Sequence, residues 1–198
     1  MLIVSALSAC IGSSTPTVPE PSSEPDEVGP SLTCPDGTSQ ETSVSEGGTE
    51  VWCDKGGIMH GPYLRLYPNG QRAAKGAYDN NLADSDWIWW HENGAEASKG
   101  KYVRGKQTGQ WTWWHDNGVK AEDGDFLQGR KAGQWVSYYE SGAKKEEGMY
   151  HNSIKDGLWT FYEDNAENSV LRTELWEQGS LAEEHLLKKD EGKDGKKR

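Results

Sequence analysis

Three cysteines and two phenylalanines are all that 198 residues contain, and apolar residues make up only 33% of the chain. The mean hydropathy of −0.89 is too low for a thick globular core. Beyond a short apolar start, no stretch approaches the roughly 18 consecutive apolar residues that a membrane-spanning helix requires. Bases are short too: 21 Lys and Arg stand against 32 Asp and Glu, for a net charge of −11. No run gathers those bases into a patch, which argues against nucleic acid as a partner. Catalytic signatures are missing as well. There is no Gly-rich phosphate loop before a helix, no serine elbow and no His-x-x-x-His pair, so no enzyme, cofactor or metal is expected.

What is present is tryptophan and tyrosine, ten and eight of them, and they recur in a fixed frame. Gly109-Gln110-Trp111-Thr112-Trp113-Trp114-His115-Asp116-Asn117-Gly118 has counterparts starting at Gly61, Ser85, Gly133 and Gly157, each 24 residues from the next. A period of this size marks an array whose units bury apolar surface only by stacking on neighbours. The second half of each unit repeats also, with Gly76/Tyr78, Gly100/Tyr102, Gly124/Phe126 and Gly148/Tyr150 followed by the turn formers Asn81, Gly105, Gly129 and Ser153.

Each unit therefore reads as an aromatic strand, an Asn-Gly turn, a more polar strand and a second turn. Asn-Gly suits a two-residue hairpin, whose central residues both need positive φ. The expected fold is all-β: an elongated antiparallel meander of about five hairpin repeats over residues 57–181. The last unit breaks period, with Trp176 two residues late, so a longer turn is expected near Asn165 to Asn168.

The combination Gly-x-Trp-x-x-Tyr/Trp-x-x-Asn-Gly and Gly-x-Tyr-x-x-Gly resembles the MORN repeat family, closest to a bacterial variant often labelled antitoxin-like. The resemblance implies a single twisted sheet of successive hairpins. For function it implies a scaffold for protein interaction or membrane association. The cysteine-bearing lead-in also resembles that of exported bacterial lipoproteins carrying such repeats.

The flanks set the expected location. Residues 1–9 end in Leu7-Ser8-Ala9 before Cys10, which resembles a lipoprotein cleavage site with Cys10 as the lipidated residue. The apolar run is short and lacks a leading base, which points to a start farther upstream. Ile11, in place of Asp, resembles lipoproteins sent to an outer membrane. Residues 10–32 form a Pro/Ser/Glu-rich tether, too poor in apolar surface to order itself. Residues 11–60 carry nine acids and one Lys, whereas residues 61–180 carry 18 acids and 14 bases. The remaining pair, Cys34 and Cys53, reads as a disulfide closing a lead-in over 33–56, and contributes roughly 3 kcal/mol in the chain-entropy model. Residues 182–198 read as a charged tail, with a short helix between Ala182 and Lys189 that turns Leu186 and Leu187 inward.

Alternation along a strand puts Tyr63, Trp87, Trp111, Trp135 and Trp159 on one face, with Trp89, Trp113 and Phe161 two residues on. The other face carries Leu64, Ile88 and Val136 and the row Leu66, Trp90, Trp114, Tyr138, Tyr162. The first column, with Gly109, Gly133 and Gly157 beside it, is aromatic in every unit and is taken as structural. The column Arg65, Trp89, Trp113, Ser137, Phe161 tolerates charge, so Trp89 and Trp113 are expected as an exposed contact pair. Trp90, Trp114, His91 and His115 complete the candidate binding set. The histidines share a column with Tyr67 and Tyr139, which suits a flat amphipathic ring better than a metal ligand.

These features describe a non-enzymatic, lipid-anchored scaffold at a bacterial cell envelope, binding an unknown protein or glycan. Two other readings stay open: a carbohydrate or peptidoglycan module with exposed tryptophan rows, and an immunity-type inhibitor of a toxin.

Overall fold

A computed structural model describes residues 30–187 as one sheet with no helix. Its thirteen strands are β1 (Ser39–Ser45), β2 (Gly48–Asp54), β3 (Met59–Leu66), β4 (Arg72–Asp79), β5 (Leu82–Trp90), β6 (Glu96–Val103), β7 (Lys106–Trp114), β8 (Lys120–Leu127), β9 (Arg130–Tyr138), β10 (Lys144–His151), β11 (Ile154–Tyr162), β12 (Val170–Glu177) and β13 (Ser180–Leu186). Each pairs antiparallel with its neighbours in chain order, so the all-β hairpin meander is the observed fold. The assignments for residues 1–29, including Cys10 and most of the tether, and for residues 188–198 of the charged tail lie outside the described residues.

The two turns of each unit differ, and the Asn-Gly expectation needs correction. In the Asn-Gly corners only the glycine is left-handed, with φ of 84°, 85° and 80° at Gly70, Gly94 and Gly118. Gly118 N–H donates to His115 O at 3.0 Å and His115 N–H to Val119 O at 2.8 Å, which closes a three-residue loop. The two-residue hairpins with paired positive φ are instead the second turns, such as Arg104/Gly105 at 50° and 76° and Asn152/Ser153 at 53° and 68°. The reason is local: the asparagine side chain caps its own loop, as Asn117 Oδ1 accepts from Val119 N–H at 2.9 Å, and this needs no left-handed asparagine.

Each aromatic strand bulges at the first position of its frame, a glycine in every copy but β5, where Ser85 takes the left-handed place at φ 65°. Between Lys99 and Lys101 the register with β7 slips from Thr112 to Thr108, and Gly109 sits there at φ 63°. The bulge turns Trp111 onto the sheet, where it is 2% exposed. Trp87, Trp135 and Trp159 are buried the same way. A one-layer sheet so hides its core under its own indoles.

Both ends finish in polar edge strands. β1 and β13 are exposed along their whole length. The short helix expected from Ala182 is corrected to strand β13, because Gln178 and Gly179 form another two-residue turn that folds the chain back onto β12. Leu186 and Leu187, expected inward, are exposed. The longer last loop is present, with Glu163 N–H bonded to Ser169 O at 2.8 Å. At the other end Cys34 and Cys53 are bridged, with Cα atoms 5.5 Å apart, and the lead-in is part of the same sheet.

Candidate functional site

On the indole face the rings form a continuous ladder. Trp87 and Trp89 stack at 5.3 Å, Trp89 meets Trp111 at 5.7 Å, and Trp111 stacks on Trp113 at 5.6 Å. Trp113 then meets Trp135 at 5.7 Å. Tyr78, Tyr102, Phe126 and Tyr150 stand edge-on between the indoles at about 5 Å. Such offset and edge-to-face pairs each add roughly 0.5–1.5 kcal/mol beyond burial. The expectation that Trp89 and Trp113 project freely is therefore corrected: both are half-buried between core tryptophans. A column that accepts Arg or Ser elsewhere still becomes part of the ladder where a ring occupies it.

The same face is open at one end and lidded at the other. In the first units Ala74 and Ser98 occupy a column that later carries Glu122 and Glu146, and Ala83 occupies one that later carries Lys131 and Lys155. Ala73 and Ala97 precede Lys145 in a third. With small residues there, a groove of about 540 Å³ opens along Tyr63, Tyr78, Trp87, Trp89 and Tyr102, floored by the alanines, with Arg65 at its edge. Arg65 Nε lies 3.7 Å from Glu50, and both side chains are nearly half exposed.

Farther along, charge closes the ladder. Where Ser137 interrupts the rings, the Lys131 ammonium sits 3.8 Å above Trp135 and pairs with Glu122 at 2.6 Å. Lys155 sits 4.0 Å above Trp159 and 3.5 Å from Glu146. Arg172 covers Phe161 at 3.8 Å and bonds Glu174 at 2.8 Å. The bland part of the frame, its alanines, carries this difference. The aromatic positions alone do not reveal it, although the change from Ala74 to Glu122 in one column is visible in the sequence.

The opposite face holds Trp90, Trp114, Tyr138 and Tyr162, all half-buried. Lysines lie over the last three rings, Lys99 at 5.0 Å from Trp114, Lys120 at 5.7 Å from Tyr138 and Lys144 at 5.8 Å from Tyr162. Among the groove rings, burial pushes the Tyr63, Tyr78 and Tyr102 phenols above their ordinary range, so they remain neutral and polar at physiological pH.

His91 and His115 act as struts between units. His91 Nε2 lies 2.9 Å from Trp114 O, and His115 Nε2 lies 3.0 Å from Tyr138 O. A carbonyl only accepts, so Nε2 carries the proton in both. Tyr67 and Tyr139 do the same with their hydroxyls, onto Trp90 O at 2.7 Å and Tyr162 O at 3.0 Å. No group of three or more His, Cys, Asp or Glu is placed to hold a metal among the described residues.

The MORN repeat variant model matches residues 131–152, which span the β9–β10 hairpin. That match supports the MORN repeat family for the array. No curated protein matches the chain.

Proposed function

We propose that this protein is a non-enzymatic repeat scaffold that docks a partner protein in the aromatic groove between Tyr63 and Tyr102. Its anchorage to a bacterial cell envelope, through lipid on Cys10, belongs to the same reading and rests on the Leu7-Ser8-Ala9-Cys10 motif alone. The observation that carries the docking site is internal. Later copies of the same unit cover their rings with Lys–Glu pairs, while the first copies keep alanine and serine at those positions. Stability does not ask for the difference, since the charged version exists two units away. Apolar surface left open beside a polar rim is the usual mark of an interaction site.

A sugar is the weaker occupant. Saccharides stack on free ring faces, whereas Trp87 and Trp89 spend theirs on one another, at 22° between planes. A peptide, which packs side chains against ring edges and a shallow floor, suits the groove better.

The test installs the later lid in the first units. Ala74→Glu with Ala83→Lys reproduces the Glu122–Lys131 pair across β4 and β5. Wild-type and variant chains are cross-linked in the native envelope and the attached proteins quantified. Loss of one captured species in a variant that melts normally supports the reading, and equal capture overturns it.

A further inference from the structure

The sheet ends in two free edges, and they are built differently. β13 carries Glu183 and Glu184 side by side, and its ladder with β12 shifts register at Leu175/Trp176. Charge and a bulge are devices that keep an edge strand from pairing further. β1 has neither protection. It runs Ser39-Gln40-Glu41-Thr42-Ser43-Val44-Ser45 and matches β2 over all seven residues without a shift, with one acid, no Lys and no Pro. Every residue of it is exposed, and Val44, at 77%, is the most open large apolar side chain among the described residues. A regular, unguarded edge is a template for another strand.

We propose that β1 pairs antiparallel with β1 of a second copy of this chain, in the register centred on Thr42. Each strand then covers the full length of the other, with Thr42 opposite Thr42, Gln40 opposite Val44, Glu41 opposite Ser43 and Ser39 opposite Ser45. No like charges face each other, and a Thr–Thr pair is a favourable cross-strand contact. The other full-length pairings fail on charge. β13 against itself sets Glu183 opposite Glu183, and β1 antiparallel to β13 sets Glu41 opposite Glu184.

Val44 gains cover in this register. Gln40, Thr42 and Val44 share one face, the face of Cys53 and Val51 on β2. There the Gln40 amide holds Leu32 N–H at 2.8 Å and Pro30 O at 3.2 Å, so the lead-in of one copy lies beside Val44 of the other. Residues opposite each other point to the same side, which sets the two-fold axis perpendicular to the sheet. Both aromatic grooves then open on one side, their β3 strands five spacings apart, about 24 Å, and both lead-ins lie on the other side. The pairing itself does not rest on the groove being a docking site. It presents that site twice, which raises the avidity for a partner with two matching segments.

The experiment uses the full chain with Cys10→Ser, the Cys34–Cys53 bridge left intact. Sedimentation velocity over a rising concentration series should show monomer passing into dimer. Thr42→Lys sets two ammonium groups face to face and should leave only monomer, with an unchanged melting temperature because Thr42 is exposed. Thr42→Glu should do the same alone, and mixing it with Thr42→Lys should restore the dimer. Under mild oxidation Thr42→Cys should link two chains, and Glu183→Cys should not. Monomer at every concentration overturns the proposal, as does a dimer that survives Thr42→Lys or is linked through Glu183→Cys. If the chain stays monomeric and Thr42→Lys abolishes envelope capture, β1 belongs to a partner protein and the proposal falls. Capture that depends on Ala74 and Ala83 in a chain that never dimerises leaves the groove reading standing and removes only the pairing.

Discussion

The indole of Trp111 comes within 2.2 Å of the point where a Cβ on Gly100 would stand. Trp87 meets Gly76, Trp135 meets Gly124 and Trp159 meets Gly148 in the same way, at 2.2–2.3 Å. Each indole lies flat on a bare backbone and donates its N–H to the carbonyl after the glycine, as Trp111 does to Lys101 O at 3.3 Å. At the end of the array the seat is filled: Glu174, opposite Trp159, stands where another unit would have glycine, and its carboxylate bonds Arg172 and Trp176.

Gly100→Ala is therefore expected to destabilise the array by about 3 kcal/mol, because the ring it strikes is buried and held by its hydrogen bond. Gly109→Ala meets no atom within 4 Å but keeps a left-handed φ of 63°, which costs only about 1–2 kcal/mol. Trp111→Ala leaves a cavity and costs about 3–5 kcal/mol. Urea unfolding of the three variants gives the order. Equal effects for the two glycines would remove the close-approach account.

The asparagines of the corners tie unit to unit. Asn117 Nδ2 donates to Glu140 O at 2.9 Å while its Oδ1 holds its own loop, and Asn93 bonds Asp116 O at 2.6 Å in the same way. Asn117→Asp keeps the acceptor and loses the donor. It is expected to cost about 1–2 kcal/mol by leaving Glu140 O unpaired against a new charge. Hydrogen exchange at the neighbouring corner, around Glu140 to Gly142, should rise. Unchanged exchange there would mean the corners are independent.

Two groups make stability depend on pH at opposite ends. Burial works against charge on Glu147, but hydrogen bonds from Tyr162 and Lys144 outweigh it and hold the carboxyl below its ordinary 4.5. A lowered folded pKa adds stability above the unfolded value, and that stability is lost as pH falls below 4.5. Burial, with the Glu147 hydrogen bond behind it, pushes the Tyr162 phenol from 10.0 up to about 12. A raised folded pKa adds stability below the unfolded value, which is lost as pH rises from 10 through 12. Urea midpoints measured below 4.5, at neutrality and above 10 should fall at both ends. Glu147→Gln should flatten the acid limb; an unaltered acid limb would assign it to other carboxylates.

The period-24 frame made the meander legible, because strand, turn and glycine positions all repeat together. What stayed hidden depends on contacts across strands. Asn-Gly is the familiar signal for a hairpin with two left-handed residues. Arg104-Gly105 and Gln128-Gly129 carry them instead, while asparagine serves as a cap. Ala182 to Leu186 has helical composition, but the open edge of β12 beside it and a two-residue turn before it decide for strand. The groove was invisible to a search for rings. It is made by Ala73, Ala74, Ala83 and Ala97, residues that announce nothing until the later columns show Lys and Glu in their place.

Trp89 and Trp113 are where the two readings give opposite results. Taken as an exposed pair, their joint replacement by Ala leaves the melting temperature unchanged. In the ladder, Trp89 touches Trp87, Tyr102 and Trp111, and Trp113 touches Trp111, Phe126 and Trp135. Each is half-buried, so each truncation is expected to cost about 2 kcal/mol, below the range for a fully buried ring. Trp111 is common to both, and loosening it once lowers what the second truncation removes. The double variant should then be less destabilised than the sum of the singles, by about 0.5 kcal/mol or more. Only Trp89 lines the groove, so Trp89→Ala should weaken partner capture and Trp113→Ala should not. Additive losses would show that Trp111 does not transmit strain along the ladder. A double variant that melts like wild type would restore the exposed-pair reading.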